Sequence, residues 1–392
     1  MPKILIVGAG IGGLTAAIAL RQAGLSVEVF ERARELKEIG AGIGLSPNAV
    51  RVLKHLGLMQ QVMNRGTVIE AAAGYTERGA TLTRMPANLA DVPTICLHRA
   101  ELQQALLSSL PSDCVHPGEE FVHFQQSSAG VTAHFASGST AAGDVLIGAD
   151  GLRSRVRALL VGDGEPVYRG YQCWRGVCNL PASTQLTETF GRGLRVGLVP
   201  IGPRGMAWWC TANEPELATD EPEGTKAKLL RWFGSWHSPI PEVIGRTDPS
   251  AIIKSAMYDR QPVTTWSRER CTVLGDAAHP TTPNLGQGGC MAIEDAGLLA
   301  RCLANYADAG TALRVYEQLR QERTATVTRM SRFYGVIGQW KNPGLVWFRN
   351  ALFRRGSGKA AIKGYLKFVS YDPYAIPLDQ GDAPSNGEKF VV

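Results

Sequence analysis

The sequence predicts an α/β fold: a parallel sheet flanked by helices, interleaved with a β-sheet domain and followed by a C-terminal helical region. Three observations carry it. The chain opens on a short apolar run, "KILIV", then a glycine-rich turn, a helical pattern and a second β-branched run, the order of a parallel strand–helix–strand unit. Two further runs, "DVLIGAD" and "RCTVLGD", deliver Gly and Asp to their C-terminal ends, where open parallel sheets place their ligands. Between them, Gln172 to Pro262 breaks into short pieces such as "LRVGLVPIG" and "MAWWCTAN", separated by Gly and Pro turns, as in a β-sheet.

The elements follow in order. Lys3 to Val7 is apolar without alternation, which suits a parallel strand buried on both faces. Gly8, Gly10 and Gly13 then fit G-x-G-x-x-G, with Gly12 between them. "LTAAIALRQAG" continues as a helix ending near Gly24, and "SVEVF" leads to Glu31, eighteen residues past Gly13. This is a dinucleotide fingerprint in its structural context. The glycines permit a tight turn and close approach of a pyrophosphate, the helix N-terminus faces that anion, and Glu31 accepts the adenosine ribose hydroxyls. The alternative is a glycine-rich turn that merely packs helix on strand. The motif does not separate NAD from FAD, although a carboxylate at Glu31 repels the extra phosphate of NADP.

The stretch "GDAAHPTTPNLGQGGCMAIEDA", Gly275 to Ala296, addresses that choice. Asp276 is placed to accept a sugar-alcohol hydroxyl, and a helix starting at about Gly288 points free N–H groups at developing negative charge. Two glycine-rich helix starts suit one long cofactor, with its diphosphate at the first and a redox ring at the second. FAD has that shape, and a reduced flavin is negative around N1. Pro283, Gly286, Gln287, Gly288, Gly289 and Cys290 are therefore expected to line the cofactor with Asp276.

Composition bounds the rest. A chain of 392 residues is too long for one small domain, and a net charge of +6 is too modest to make nucleic acid the main partner. Eight cysteines show neither a CxxC pair nor metal spacing with histidine, which reads as reduced thiols in a cytoplasmic protein without a metal. Glycines interrupt the apolar start, so it is not read as a signal peptide. No apolar run is long enough to cross a bilayer.

With these residues in place, the chain resembles the group A flavoprotein monooxygenases, FAD-dependent aromatic hydroxylases with a para-hydroxybenzoate-hydroxylase-like fold. The resemblance rests on "GAGIGG…VFER", ending at Glu31 and Arg32; on "IGADGLRSRVR", with Asp150, Gly151, Ser154 and Arg157; and on the loop beginning Gly275–Asp276. "HRAEL" adds Arg99, which the resemblance places near the FAD diphosphate. It implies a discontinuous, Rossmann-like FAD domain (1–72, 98–168 and 266–322) and a substrate sheet (73–97 and 169–265) roofing the flavin. A basic helical region (323–378) and a disordered tail (379–392) complete the expectation. Without a second G-x-G-x-x-G, NADH or NADPH is expected to visit transiently as reductant. The implied chemistry is hydroxylation of a small aromatic or heteroaromatic substrate through a flavin C4a-hydroperoxide, so the protein needs few catalytic side chains. Epoxidation of a conjugated lipid such as a carotenoid, reduction of an isoprenoid chain without oxygen insertion, and flavin binding without catalysis are the other readings.

Candidate substrate residues come from the roof. Arg195 would pair with a carboxylate or ring oxygen, unless it is a surface strand arginine, and Arg175 is similar. Trp174, Trp208 and Trp209 would form an aromatic wall or, equally, a sheet core. His279 is a candidate base or a structural loop residue; Cys290 is a helix-start backbone position rather than a redox thiol. From Arg323 to Tyr371 there is no Asp or Glu, while Arg and Lys recur among aromatics. That stretch either packs across the two domains or lies peripherally on an anionic membrane.

Overall fold

The computed structural model describes residues 2–36, 40–181, 183–220, 224–356 and 359–378. The tail at 379–392 lies outside the described residues. Lys3–Val7 is the middle strand of a five-stranded parallel sheet, in the order Cys271–Val273, Val145–Gly148, Lys3–Val7, Ser26–Glu31, Val115–Pro117. Helices cover this sheet, which is why its strands are continuous apolar runs.

Glycine sets how closely the covering helix approaches. A Cβ on Gly13 would stand 2.0 Å from the Gly8 carbonyl oxygen, and one on Gly12 would meet Leu274 Cδ1 at 2.8 Å and Ala292 Cβ at 3.1 Å. Helix Ile11–Gln22 therefore lies directly against helix Gly288–Asn305, which carries Ala292. The two glycine clusters, remote in sequence, are neighbours in space.

The second sheet has seven strands, in the order Ile253–Asp259, Val167–Cys178, Met206–Ala212, Leu194–Pro200, Gln185–Phe190, Ala71–Thr76, Thr81–Pro86. Its pairings are antiparallel except between Gln185–Phe190 and Ala71–Thr76. One face packs on helices Thr225–Phe233 and Ile240–Arg246, with Trp174, Val196, Trp208 and Cys210 against Leu229, Phe233 and Val243. The other face carries Tyr171, Cys173, Met257 and Trp209, and sets Ala207 against Ala41 and Ile201. Successive side chains of a strand point to opposite faces, so the neighbours Trp208 and Trp209 part company.

Three expected edges differ. Thr94–His98 pairs with Gly42–Leu45 and Thr67–Ile69 in a small sheet of its own rather than joining the roof. The roof strands Ala71–Thr76 and Val167–Cys178 begin before 73 and 169. Helix Ala309–Gly338 runs thirty residues straight through the expected boundary at 322–323, where no Gly or Pro interrupts it. No described helix is long and apolar enough to cross a membrane. All eight cysteines are free and buried, and no metal-holding cluster exists among the described residues.

Candidate functional site

The turn after Lys3–Val7 opens on a cleft of about 590 Å³ walled by Gly8, Gly10, Glu31, Arg32, Asp150 and Arg153 among others. Gly8 needs glycine for its φ of +108°, and Gly13 for packing. Gly10 needs it for neither reason: no atom lies within 4 Å of where its Cβ would stand. The backbone there is bare toward the cleft, as close approach of a diphosphate requires. Glu31 braces this turn, its carboxylate accepting the N–H of Ala9 at 2.8 Å and of Ala33 at 2.9 Å. It keeps lone pairs for ribose hydroxyls, and exposed Arg32 stands at the cleft mouth.

Asp150 lines the same cleft, but its carboxylate is largely spent on the protein. It accepts from the Ser154 hydroxyl and from the N–H groups of Arg155 at 2.7 Å and Val156 at 3.2 Å, capping helix Arg155–Leu160. Its neighbour Arg157, fully buried, donates to the carbonyls of Ala277 and Ala278 and pairs with Asp163. The second motif thus grips the backbone of the third.

The Gly275 loop brings several expected residues together. The Asp276 side chain is open to solvent yet walled by protein; burial pushes its carboxyl upward, against the opposing pull of His279 and Arg99. Arg99 begins helix Arg99–Leu107, its N–H on the Ala41 carbonyl at 3.0 Å. A Cβ on Gly288 would lie 3.6 Å from Asp276 Oδ1, so Asp276 stands at the mouth of helix Gly288–Asn305, whose first N–H groups no side chain caps. Gly286 adopts a φ of +63° after the turn Pro283–Leu285, and Gly289 lets the strand Gly42–Leu45 close in, Ile43 Cδ1 standing 2.9 Å from its virtual Cβ.

Three of the expected residues turn inward. Gln287 is buried, and its side chain ties the helix start to Asn48 at 3.0 Å and Ser46 at 3.0 Å instead of reaching the cleft. Cys290 is buried against Ser46 and the Gly44 carbonyl, and burial pushes its thiol up to about 12. His279 has the structural setting that was the alternative to a base: Nε2 donates to Asp295 Oδ2 at 2.6 Å inside the protein, beside Trp266.

Asp295, which sequence reasoning passed over, anchors the loop. Fully buried, it accepts from the Gly275 N–H at 2.8 Å, from His279, and from Arg320 Nε at 2.6 Å. Arg320 and Arg323 also pair with Glu294, at 2.7 and 2.6 Å, and Tyr371 stacks on both guanidiniums. The pull of His279 and Arg320, with the hydrogen bonds from His279 and the Gly275 N–H, holds the Asp295 carboxyl at about 2 despite burial. The "ED" of "MAIEDA", facing arginines one helix away, was the available signal.

The roof sorts its candidates by face. Trp174 and Trp208 are fully buried on the helix side, Trp208 Nε1 donating to Thr247 Oγ1 at 2.8 Å, so neither forms a substrate wall. Trp209 registers with Arg175 and lies on the opposite face. Arg195 is not a surface arginine: it is 1% exposed, between Trp209 and Tyr171. Its Nε donates to Gln339 at 3.0 Å, Nη1 to Glu188 at 3.1 Å, and Nη2 to Asn284 of the Gly275 loop at 2.6 Å. Glu188, Gln339, Asn284 and Tyr171 come from four separate segments, and no motif announces them.

A nucleotide cleft on a parallel sheet, a second uncapped helix start beside an acidic loop, and a roof sheet over both define a dinucleotide-dependent redox enzyme. Residues 1–333 match the FAD binding domain family, and the chain belongs to it. It is 41% identical over 358 residues to the aurachin C monooxygenase/isomerase of Stigmatella aurantiaca, covering 90% of this chain and 93% of that one. It is 33% identical over 390 residues to the FAD-dependent urate hydroxylase of Klebsiella pneumoniae, covering 95% and 99%. The structure of Klebsiella pneumoniae HpxO with FAD and uric acid superposes with a TM-score of 0.90 at 31% identity, over 95% of this chain and 98% of that one.

The chain is an FAD-dependent monooxygenase that draws electrons from NADH or NADPH. The residues present fit that cofactor, with bare Gly10 for the diphosphate, Glu31 for ribose, and Asp276 with the Gly288 helix start for the ring end. When bound, FAD supplies the redox chemistry and oxygen activation. The protein's share is to place the ring, exclude water and hold the substrate.

Proposed function

We propose that this monooxygenase hydroxylates a planar aromatic or heteroaromatic ring held against the face of the roof that carries Trp209, Tyr171, Arg195 and Arg175. The observation that supports this most is the setting of Arg195, a buried cation between two aromatic faces, joined through Asn284 to the loop that bears Asp276. Of its three partners only Glu188 is charged, and of the two neutral ones Asn284 belongs to the Gly275 loop. A substrate oxygen can displace Asn284 without stranding the partly buried Glu188 carboxylate. Half-buried Arg175, on the same face, has only the Met257 thioether at 3.9 Å among the described residues, which suits a substrate anion or carbonyl. One oxygen atom of O₂ goes to the ring, the other leaves as water, and NAD(P)H supplies the two electrons.

The test is a panel of aromatic acids, phenols and nitrogen heterocycles, scored by stimulation of NAD(P)H oxidation and by ¹⁸O₂ incorporation into product. Stimulation with one labelled oxygen is expected, and Arg195→Gln should divert most of the NAD(P)H consumed into hydrogen peroxide. A product carrying no label would overturn the reading in favour of reduction. A panel in which only polyenes respond would overturn it in favour of epoxidation.

A further inference from the structure

We propose that the outward face of helix Pro343–Arg355 and the last turns of helix Ala309–Gly338 docks on an anionic lipid surface. Helix Pro343–Arg355 settles its inner face first. Arg349 is buried and donates to the carbonyls of Gly338 and Gly191, each at 3.1 Å, while Phe353 packs on Tyr334 and Phe190. At about 100° per residue, Trp347, Phe348 and Arg355 point away from Arg349, and Leu352 stands at the border beside Phe348. They are left in solvent: Trp347 is 71% exposed, Phe348 55% and Leu352 51%. The last turns of helix Ala309–Gly338, which meets the first helix at Tyr334 and Gly338, add Phe333 at 65% and Val336 at 57%.

Single exposed apolar side chains are ordinary, but of eleven large ones exposed among the described residues, seven fall between Met330 and Leu352. Packing across the domains accounts for the inner face of these helices and leaves the outer one unexplained.

Charge identifies the occupant. Residues 323–371 carry ten Lys and Arg and no Asp or Glu, against a net +6 for the whole chain, so everything outside this stretch is net negative. Arg323, Arg332 and Arg349 are spent internally, whereas Arg329, Lys341, Arg355, Lys363 and Lys367 are exposed. A second copy of the chain is the poorer occupant, because a two-fold interface would set this all-cationic patch against itself. Exposed aromatic and apolar side chains on helices that also carry the exposed Arg329 and Arg355, with Lys341 between them, match an anionic bilayer interface. A cleft of about 410 Å³ opens beside Val336 and runs to Tyr171, Thr282 and Gln339, next to Arg195. Docking would turn its mouth toward the lipid. The proposal stands on surface composition alone and is independent of which ring is hydroxylated.

The experiment is flotation of the FAD-loaded full chain with vesicles of phosphatidylglycerol and phosphatidylcholine, or of phosphatidylcholine alone, at low salt and at about 1 M, where the Debye length is about 3 Å. Binding to anionic vesicles at low salt, roughly tenfold or more weaker at high salt or on neutral vesicles, is expected. Trp347→Ser with Phe348→Ser should abolish it, and Arg329→Gln with Arg355→Gln should flatten its salt dependence. Both variants should keep their flavin absorbance and melting temperature. Absence of flotation with anionic vesicles at low salt overturns the proposal, as does equal binding to neutral ones. A dimer in sedimentation velocity that Trp347→Ser with Phe348→Ser converts to monomer makes a second copy the occupant instead.

Discussion

Asp295→Asn tests whether the Gly275 loop is held by its buried anchor. Three donors converge on this carboxylate, the Gly275 N–H, His279 Nε2 and Arg320 Nε, at 2.8, 2.6 and 2.6 Å. An asparagine keeps the shape, but it removes the charge and turns an amide nitrogen toward donors. Two routes give the size of the effect. The carboxyl lies near 2 instead of 3.8, and at about 1.4 kcal/mol per unit the ionised form contributes about 2–3 kcal/mol to stability. Taking one partner from a buried charged cluster costs about 3–5 kcal/mol, because Arg320 then faces Glu294 alone. The second figure includes the misdirected amide and is the better expectation.

Unfolding entropy near 2.1 cal/mol/K per residue gives roughly 0.8 kcal/mol/K for a chain this long, so the melting temperature should fall about 4–6 °C. FAD affinity should fall as well, roughly tenfold, since the freed Gly275 N–H no longer fixes Asp276. The pH dependence has a definite sign. The folded carboxyl is depressed, so its contribution is complete above about pH 4 and is lost as pH falls toward 2; the variant should lack that acid-side decline. Thermal melts and FAD titration of both proteins across pH are the assay. A melting temperature within about 1 °C of the parent and unchanged FAD affinity would refute the anchoring.

The remaining tests separate packing from function at paired positions. Gly10→Ala should leave the apo-protein's melting temperature within about 1 °C yet weaken FAD at least tenfold, whereas Gly13→Ala, with 2.0 Å to the Gly8 carbonyl, should lose fold and cofactor together. Full FAD affinity in Gly10→Ala would show that the diphosphate lies elsewhere. Trp208→Ala should cost about 3–5 kcal/mol of stability with KM unchanged, while Trp209→Ala should act on KM or coupling; the reverse pattern would exchange the two faces of the roof. Cys290, with its thiol near 12, should resist iodoacetamide at pH 8 in the native protein, and Cys290→Ser should retain turnover. Rapid labelling would reveal an exposed, activated thiol.

Local signals carried the cofactor domain. Lys3–Val7, the glycine turn, the helix after it and the strand ending at Glu31 stand where periodicity and turn chemistry put them, because each depends on neighbours within thirty residues. The helix at Gly288 was legible for the same reason. The faces of the roof were half legible. Alternation alone sends Trp208 and Trp209 to opposite sides, but which side meets the cofactor is decided by helices Thr225–Phe233 and Ile240–Arg246, far along the chain. The partners of Arg195 were not legible, since Glu188, Asn284, Gln339 and Tyr171 acquire meaning only when four segments converge. His279 was legible only as two alternatives, a base or a structural loop residue, because its geometry is set by Asp295, sixteen residues on and inside the protein.

What the structure adds is a division of labour within one loop. Asp276 faces the start of helix Gly288–Asn305, His279 faces the buried anchor, and Asn284 faces Arg195 of the roof, all within nine residues. Arg157 clamps the same loop from the second motif through the carbonyls of Ala277 and Ala278. One backbone segment pinned at both ends thus carries both the carboxylate expected to meet the cofactor and the partner of Arg195. Such a segment transmits a shift at either end to the other, because its buried donors and acceptors leave no slack to absorb it. The glycines flanking it are what allow so short a piece of chain to meet a ligand, a core and a second sheet at once.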